Sequence, residues 1–549
     1  MALGRCCRGF SRAFFSCCRE THRDNESKCS TCWCVMVTVM ALISVCWLYI
    51  WLVIFNDRDD FNTLLFSLLH KHMNYFMVAM IIFALFASYC LLLLLFALVQ
   101  VVLRENLDLH WIHKALICVG VVLIVAMIVV MTVKQPEEWH IVPLSLQYTA
   151  PFLQFGAVGA LTLLSWLVFR TFNQVQEKSK FLIAASFLIL SAFIYLSPLL
   201  IHSPCLIDIK ELNLTKPDLW GHRGAPMLAP ENTMMSFERS VTECNVKVFE
   251  TDVQLSKDRI PFLMHDHEGE FLKRTTNVTQ KISYGNEVDM STLKSLNAGK
   301  WFIENDPFQT VHLLNKSQRK TAETQTIPEL KDLLDLAKRH NISIIFDLYR
   351  PENCSKTNDT EDTVKEILDS GINHELIYWL PPQNREYVMK TSNFIQVYTN
   401  INETEEMSAQ NGTHLNVKYS DLPADEIRNF RKNGTKVNMY VVNERWMFSL
   451  LWCAGVSSVT TNNCQVFSKM EQPDWTMAPS VYRTLWISVD AASILIMIAV
   501  FVYHRKTKRS HHREESTLLM GLNCSFSLNL TGIRRPKAIL DPFLGHHSS

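Results

Sequence analysis

The sequence predicts a (β/α)8 barrel held within a six-helix membrane protein. Three observations carry that expectation. Six apolar runs, at about 33–55, 75–103, 115–133, 148–169, 181–201 and 485–503, are long enough to cross a bilayer. The first five hold no Asp, Glu, Lys or Arg, and the sixth holds one, Asp490. Between the fifth and sixth runs, residues 202–484 change to short β-like stretches alternating with helical patterns.

Composition agrees. Of 549 residues, 48% are hydrophobic and 19% charged, which excludes a wholly soluble chain once the apolar residues are seen to cluster. With 53 basic and 53 acidic residues there is no electrostatic footprint for nucleic acid. The first run lies too far from residue 1, and is too long, for a cleaved signal peptide; it reads as a signal anchor.

Lysine and arginine in the short flanks set the orientation. Arg5, Arg8, Arg12, Arg19, Arg23 and Lys28 precede the first run. Arg104 and Lys114 follow the second, Arg170, Lys178 and Lys180 the fourth, and Arg505, Lys506, Lys508 and Arg509 the sixth. The alternate loops hold only Arg58 and Lys71 in one and Lys134 in the other. Both termini are therefore expected in the cytosol. The expected division is a Cys/Arg-rich N-terminus at 1–32, five spans within 33–201, a lumenal or extracellular domain at 202–484, the last span at 485–503 and a cytosolic tail at 504–549. The plasma membrane is the expected location, with an internal membrane as the alternative. The basic run at 505–509 either attracts anionic lipids of the inner leaflet or acts only as a stop-transfer signal.

The outer segment carries nine N-x-S/T glycosylation sites, at Asn213, Asn277, Asn315, Asn341, Asn353, Asn358, Asn402, Asn411 and Asn433. Asn25, Asn523 and Asn529 match the same pattern on the expected cytosolic side, so charge decides the topology and the sequons only agree with it. Cysteines divide unevenly. Seven crowd the N-terminal segment, where juxtamembrane palmitoylation and idle reduced thiols are both open readings. The outer segment has five, Cys205, Cys244, Cys354, Cys453 and Cys464; the number is odd, and sequence does not give the pairing.

Within that segment, candidate strands fall at 219–221, 248–253, 342–348, 377–380, 394–398, 415–418, 437–442 and 457–461. Helical patterns intervene in most gaps, as at 231–243, 328–339, 361–369, 424–432 and 445–453. Eight such units over about 280 residues fit one barrel. An open doubly wound sheet is the alternative, because alternation alone does not show closure. Residues 266–326 are too long for a plain loop and read as an inserted subdomain.

The chemistry gathers early in this domain. A period of two puts Glu250 and Asp252 on one face of the second strand. Two carboxylates so placed repel unless a cation holds them, and oxygen ligands suit Mg2+ or Ca2+. The bland reading is a solvent-facing pair, and context shifts the balance away from it. The first strand ends in Gly221-His222-Arg223-Gly224, the run at 260–264 delivers His265 and Asp266, and the third strand places Asp347 at its tail. Histidines suit acid–base work, and the planar fork of Arg223 suits a phosphate.

GHRGAPMLAPENT (221–233) followed by FETDVQLSKDRIPFLMHD (249–266) closely resembles the glycerophosphodiester phosphodiesterase family. The resemblance runs on through RTTN (274–277), LNAGKWF (296–302), TIPEL (326–330) and AGVSSVTTN (454–462), covering essentially the whole outer domain. NDRDDFN (56–62) and WCAGV (452–456) resemble the multi-pass membrane branch of that family. The resemblance implies a metal-dependent TIM-barrel enzyme that hydrolyses glycerophosphodiesters to an alcohol and a phosphomonoester. It implies His222 and His265 as acid–base residues, Arg223 as phosphate contact, and Glu250, Asp252 and Asp347 as metal ligands, the last in place of a family Glu. It further implies attack by a glycerol hydroxyl of the substrate, through a cyclic phosphate. Three positions depart from the pattern: Tyr349 stands where the family has Lys, with Arg350 beside it as a substitute phosphate contact; Tyr440 replaces a Trp as aromatic wall; and Asn462 replaces an Asp. A catalytically weak relative that signals by binding is the alternative function. A transporter is disfavoured, because five of the six runs carry no ionisable Asp, Glu, Lys or Arg.

Overall fold

The computed structural model describes residues 27–530, apart from 55, 57–61, 63–73, 104–108, 176, 209–213, 268–270, 277–281, 350–357, 401–402, 404–406, 408 and 411. Among the described residues, six helices are long and apolar enough to span a membrane: Trp33–Val53, Tyr75–Gln100, Trp111–Lys134, Pro136–Asn173, Ser179–Leu199 and Pro479–Thr507. A helix satisfies its own backbone hydrogen bonds, so such runs are stable in lipid, and the chain is a multi-pass membrane protein.

Two compact units divide the chain, Met1–Tyr148 with Ser203–Ala478, and Thr149–His202 with Pro479–Ser549. In the second, polar side chains join the helices: Thr162 Oγ1 lies 2.6 Å from Ser493 Oγ, and the Trp486 indole donates to the Tyr195 carbonyl at 2.9 Å. The Gln154 amide donates to Asp490 Oδ1 at 3.5 Å, a further contact between these helices. In the first unit, the first two helices lock through aromatic rings, with Trp51 stacked on Phe76 at 5.5 Å and Phe83 edge-on to Trp47 at 5.7 Å.

The barrel belongs to the first unit. Its strands are β1 (Asp218–His222), β2 (Val248–Leu255), β3 (Pro261–Leu263), β4 (Ser343–Leu348), β5 (Ile377–Trp379), β6 (Ile395–Tyr398), β7 (His414–Lys418), β8 (Lys436–Tyr440) and β9 (Ser458–Thr461). Eight of them are parallel, in the order β1-β9-β8-β7-β6-β5-β4-β2. β1 pairs with both β9 and β2, so the sheet closes and the open-sheet alternative is overturned. β3 is a ninth strand, antiparallel to β2, in a stretch that had no place among the eight expected. Its apolar residues serve a hairpin edge, which periodicity does not separate from a barrel strand.

Side chains alternate across the barrel wall. Val248, Trp220, Ile345 and Val397 fill the interior. Their neighbours Phe249, Ile344 and Phe346 pack outward, Phe249 meeting Phe237 of the first barrel helix edge-on at 5.4 Å. The next inward positions, one layer nearer the C-terminal mouth, are His222, Glu250 and Asp347. Among the described residues, the segment expected to be an insertion contains three short helices: Met290–Ser295 packs into a small core with Phe262, Phe271 and Ile327, while Lys300–Asn305 and Lys316–Glu323 share a second one with Phe302, Leu314 and Ala322. Disulfides join Cys205 to Cys453 and Cys244 to Cys464, and Cys354 lies outside the described residues.

Candidate active site

The site begins with a turn that only glycine permits. After β1, Arg223 has φ +52° and Gly224 φ +88°. A Cβ on Gly224 would lie 2.8 Å from the Ser236 backbone carbon and 2.9 Å from the Phe237 nitrogen. With glycine there, Ser236 Oγ accepts from the Ala225 N–H at 2.7 Å and donates to the Arg223 carbonyl at 3.0 Å. The turn aims the Arg223 backbone N–H at Glu250 Oε2, 2.8 Å away.

Strand register assembles the rest. His222 pairs with Glu250 across β1 and β2, and Asp252 pairs with Asp347 across β2 and β4. Glu250, Asp252 and Asp347 each bring an oxygen within 4.8 Å of the others. Burial, then the charges of Asp252 and Asp347, push Glu250 well above the usual carboxylate range. Enclosure by the barrel mouth and the charge of Asp252 raise Asp347 to about 6, although its side chain retains a route to solvent. Burial works against Asp252 as well, but Arg223, His265 and a hydrogen bond from Asn232 at 2.9 Å keep it low. Three crowded oxygen donors, one held ionised and two pushed toward protonation by burial and by their neighbours' charge, fit a hard divalent cation.

His222 Nδ1 lies 2.5 Å from Asn462 Oδ1. An amide oxygen only accepts, so Nδ1 carries the proton and Nε2 keeps its lone pair, 3.9 Å from Glu250 Oε2. Burial and the nearby Arg223 charge lower this imidazole to about 3. His265, half-buried after β3, is also lowered, by burial first and then by Arg223.

The Arg223 guanidinium pairs with Glu231 and Asp252, both at 3.3 Å. That network includes residues that sequence reasoning did not single out. Arg274 bonds Glu231 and donates its backbone N–H to Asp266 at 2.8 Å. Burial opposes ionisation of Glu231, but Arg274 and Arg223 outweigh it and hold the carboxyl at about 2. Glu231 and Arg274 are 43 residues apart, so spacing did not join them; their only sequence signal was membership of the PENT and RTTN segments. A cleft lined by Pro226, Pro230, His265, Arg274, Trp301 and Phe308 opens beside this pair.

Tyr440 ends β8, half-buried, and burial together with the charge of Asp347 raises its phenol. Tyr349 stacks on His267 with ring centres 3.9 Å apart. Arg350 lies outside the described residues, as do Asn213, Asn277, Asn353, Asn402 and Asn411. The other four sequon residues, Asn315, Asn341, Asn358 and Asn433, are exposed.

Comparison with known proteins bears on this geometry. Residues 222–466 match the glycerophosphoryl diester phosphodiesterase family. The chain is 40% identical to the glycerophosphoinositol inositolphosphodiesterase of Mus musculus over 487 residues, 87% of this chain and 89% of that protein. It is 38% identical to the Homo sapiens protein of the same name, over 91% of this chain and 94% of the other. Glycerophosphodiester phosphodiesterase domain-containing protein 5 of Gallus gallus is 35% identical, over 88% of this chain and 81% of its own length. The likeness extends well beyond the barrel into the membrane helices. The chain therefore belongs to the glycerophosphoryl diester phosphodiesterase family, as a member whose barrel is joined to six membrane-spanning helices.

Proposed function

We propose that this protein hydrolyses glycerophosphodiesters on the non-cytosolic side of a membrane, with His222 and His265 dividing the acid–base work. The observation that carries the reading is the convergence of His222 with Glu250, Asp252 and Asp347 at one end of the barrel. Those three carboxylates would hold Mg2+ or Ca2+, which when bound neutralises the phosphate and its developing charge. His222, protonated at Nδ1, presents a free Nε2 and suits the base that takes a proton from the attacking hydroxyl. His265 is then assigned to the leaving oxygen as the acid, a role that its lowered imidazole fills from its protonated fraction. Arg223, fixed by Glu231 and Asp252, faces its charge toward the same space, and Tyr440 supplies an aromatic wall. Arg350 is a second candidate phosphate contact.

Inositol is the head group to test first, because the two relatives at 40% and 38% identity are named for glycerophosphoinositol. The non-cytosolic placement is supported by the Lys/Arg asymmetry, by two disulfides, which persist in oxidising compartments, and by the exposed sequons. Cytosolic termini, residence at the plasma membrane and contact of the basic residues at 505–509 with anionic lipids complete the proposal. The binding-only alternative draws on Tyr349, which stacks on His267 where the family has Lys. Product analysis by mass spectrometry, with the full-length purified protein and a panel of glycerophosphodiesters, separates the two. A phosphomonoester and an alcohol in equal amounts are expected; no product from any member of the panel would reject hydrolysis.

A further inference from the structure

A line of asparagines runs from the membrane frame to the imidazole of His222. Asn56 follows the first membrane helix and is only 5% exposed, in a loop well away in sequence from the barrel. Both ends of its amide engage the segment after β8. Its Nδ2 donates to the Val441 carbonyl, and its Oδ1 accepts the Asn443 N–H at 2.8 Å. Asn443 is itself buried, 4% exposed, and its Oδ1 accepts the Asn462 N–H at 2.9 Å. Its carbonyl accepts from Asn463 Nδ2 at 2.9 Å. Asn462 Oδ1 then meets His222 Nδ1 at 2.5 Å. Three amide side chains thus connect a membrane loop to the ring nitrogen that fixes the tautomer of a proposed catalytic histidine.

We propose that Asn56 is a positioning residue for His222, acting through Asn443 and Asn462, so that the membrane frame completes the active site rather than merely anchoring it. The inference rests on the hydrolytic reading above. The physical ground is directional. A buried asparagine must satisfy both a donor and an acceptor, and Asn56 satisfies both on the two sides of one short segment, residues 441–443. That segment leaves β8 at Tyr440 and bears on the residue that follows β9. Fixing it sets the height of Asn462, hence the direction in which the His222 ring presents Nε2. No charge is involved at any link, so the relay orients the ring without adding a carboxylate beside it. A second contact between frame and barrel provides a contrast: Glu137, in the first turn of the fourth membrane helix, pairs with Lys418 at the end of β7. Glu137 docks the same barrel end but lies on no described route to His222.

The test is steady-state kinetics of the full-length protein in detergent or nanodiscs, on whichever glycerophosphodiester the wild type turns over. Asn56→Ala should lower kcat by about ten- to hundred-fold with little change in KM, as expected when reacting groups are misaligned while substrate binding is kept. Glu137→Ala should leave kcat within about two-fold, since an exposed ion pair contributes little. In an Asn462→Ala background, Asn56→Ala should add less than about two-fold, because residues acting through one link are not additive. Equal losses in both backgrounds, or an equal loss from Glu137→Ala, would assign Asn56 a general docking role and overturn the proposal. Should Asn56→Ala fail to fold, Asn443→Ala takes its place in the same cycle, with the same two outcomes. A wild-type protein without turnover would overturn the hydrolytic reading and this inference together; an active wild type with an equally active Asn56→Ala variant would overturn this inference alone.

Discussion

At the scale of single residues, the site depends on which polar groups share a narrow space. His222→Ala and His265→Ala should each lower kcat by about two to four orders of magnitude, the usual range for lost proton transfer. The double variant should lose less than the product of the two, because the histidines serve one proton itinerary. Wild-type turnover in a folded His222→Ala protein would refute the role. The carboxylates make a separate prediction. Burial and neighbouring carboxylates raise Asp347 to about 6 and push Glu250 well above the usual carboxylate range, so protons compete with a metal ion at both. Lowering the pH therefore fills the site with protons. Affinity for Mg2+ or Ca2+ should weaken steeply below about pH 6 and continue to improve above it, with protons released on binding. Calorimetry in buffers of different ionisation enthalpy measures both. An affinity unchanged between about pH 5 and 8 would remove these carboxylates from the ligand set, and Asp252→Ala should abolish binding while the barrel stays folded.

At the scale of elements, the turn after β1 and the alternation along β2 and β4 do most to place the chemistry. Gly224→Ala puts a Cβ within 2.8 Å of the Ser236 backbone at φ +88°. It should destabilise by about 1–3 kcal/mol, the range for a residue held in a sparsely populated backbone region. The same strain would pull the Arg223 N–H off Glu250, so thermal midpoint and activity should fall together; an unchanged midpoint would mean the turn relaxes freely. Strand content was legible in the sequence because alternation is local. Each of the eight expected runs coincides with a barrel strand, with ends shifted by at most two residues. The antiparallel β3 was not, since a three-residue apolar strand looks the same whether it joins the barrel or folds back upon it. Glu250 and Asp252 were readable as a pair for the same local reason, and Asp347 as a strand-tail acid. Glu231 and Arg274 were not readable as partners, because their contact is made by the fold and not by any repeat.

At the scale of the whole molecule, closure and cross-links govern. Cys205–Cys453 and Cys244–Cys464 span 248 and 220 residues, tying the start of the barrel domain to its end. Non-reducing peptide mapping should recover both, and Cys244→Ser should cost about 2–5 kcal/mol. Recovery of all five outer cysteines as free thiols from intact cells would count against the non-cytosolic placement. The sequence by itself determined what is carried by composition and short periodicity: six spans, an alternating β/α domain, the carboxylate pair of β2, and the motifs that resemble the phosphodiesterase family. Hydropathy and strand alternation depend on neighbours a few residues away, so one chain suffices to read them. Only the tertiary structure decided that β1 meets β9, which cysteines pair, that Arg223 is held between Glu231 and Asp252, and that Asn56 reaches the segment beside Asn462. These are contacts between residues far apart in sequence, selected by burial and hydrogen-bond satisfaction in the folded chain, and no local pattern encodes them.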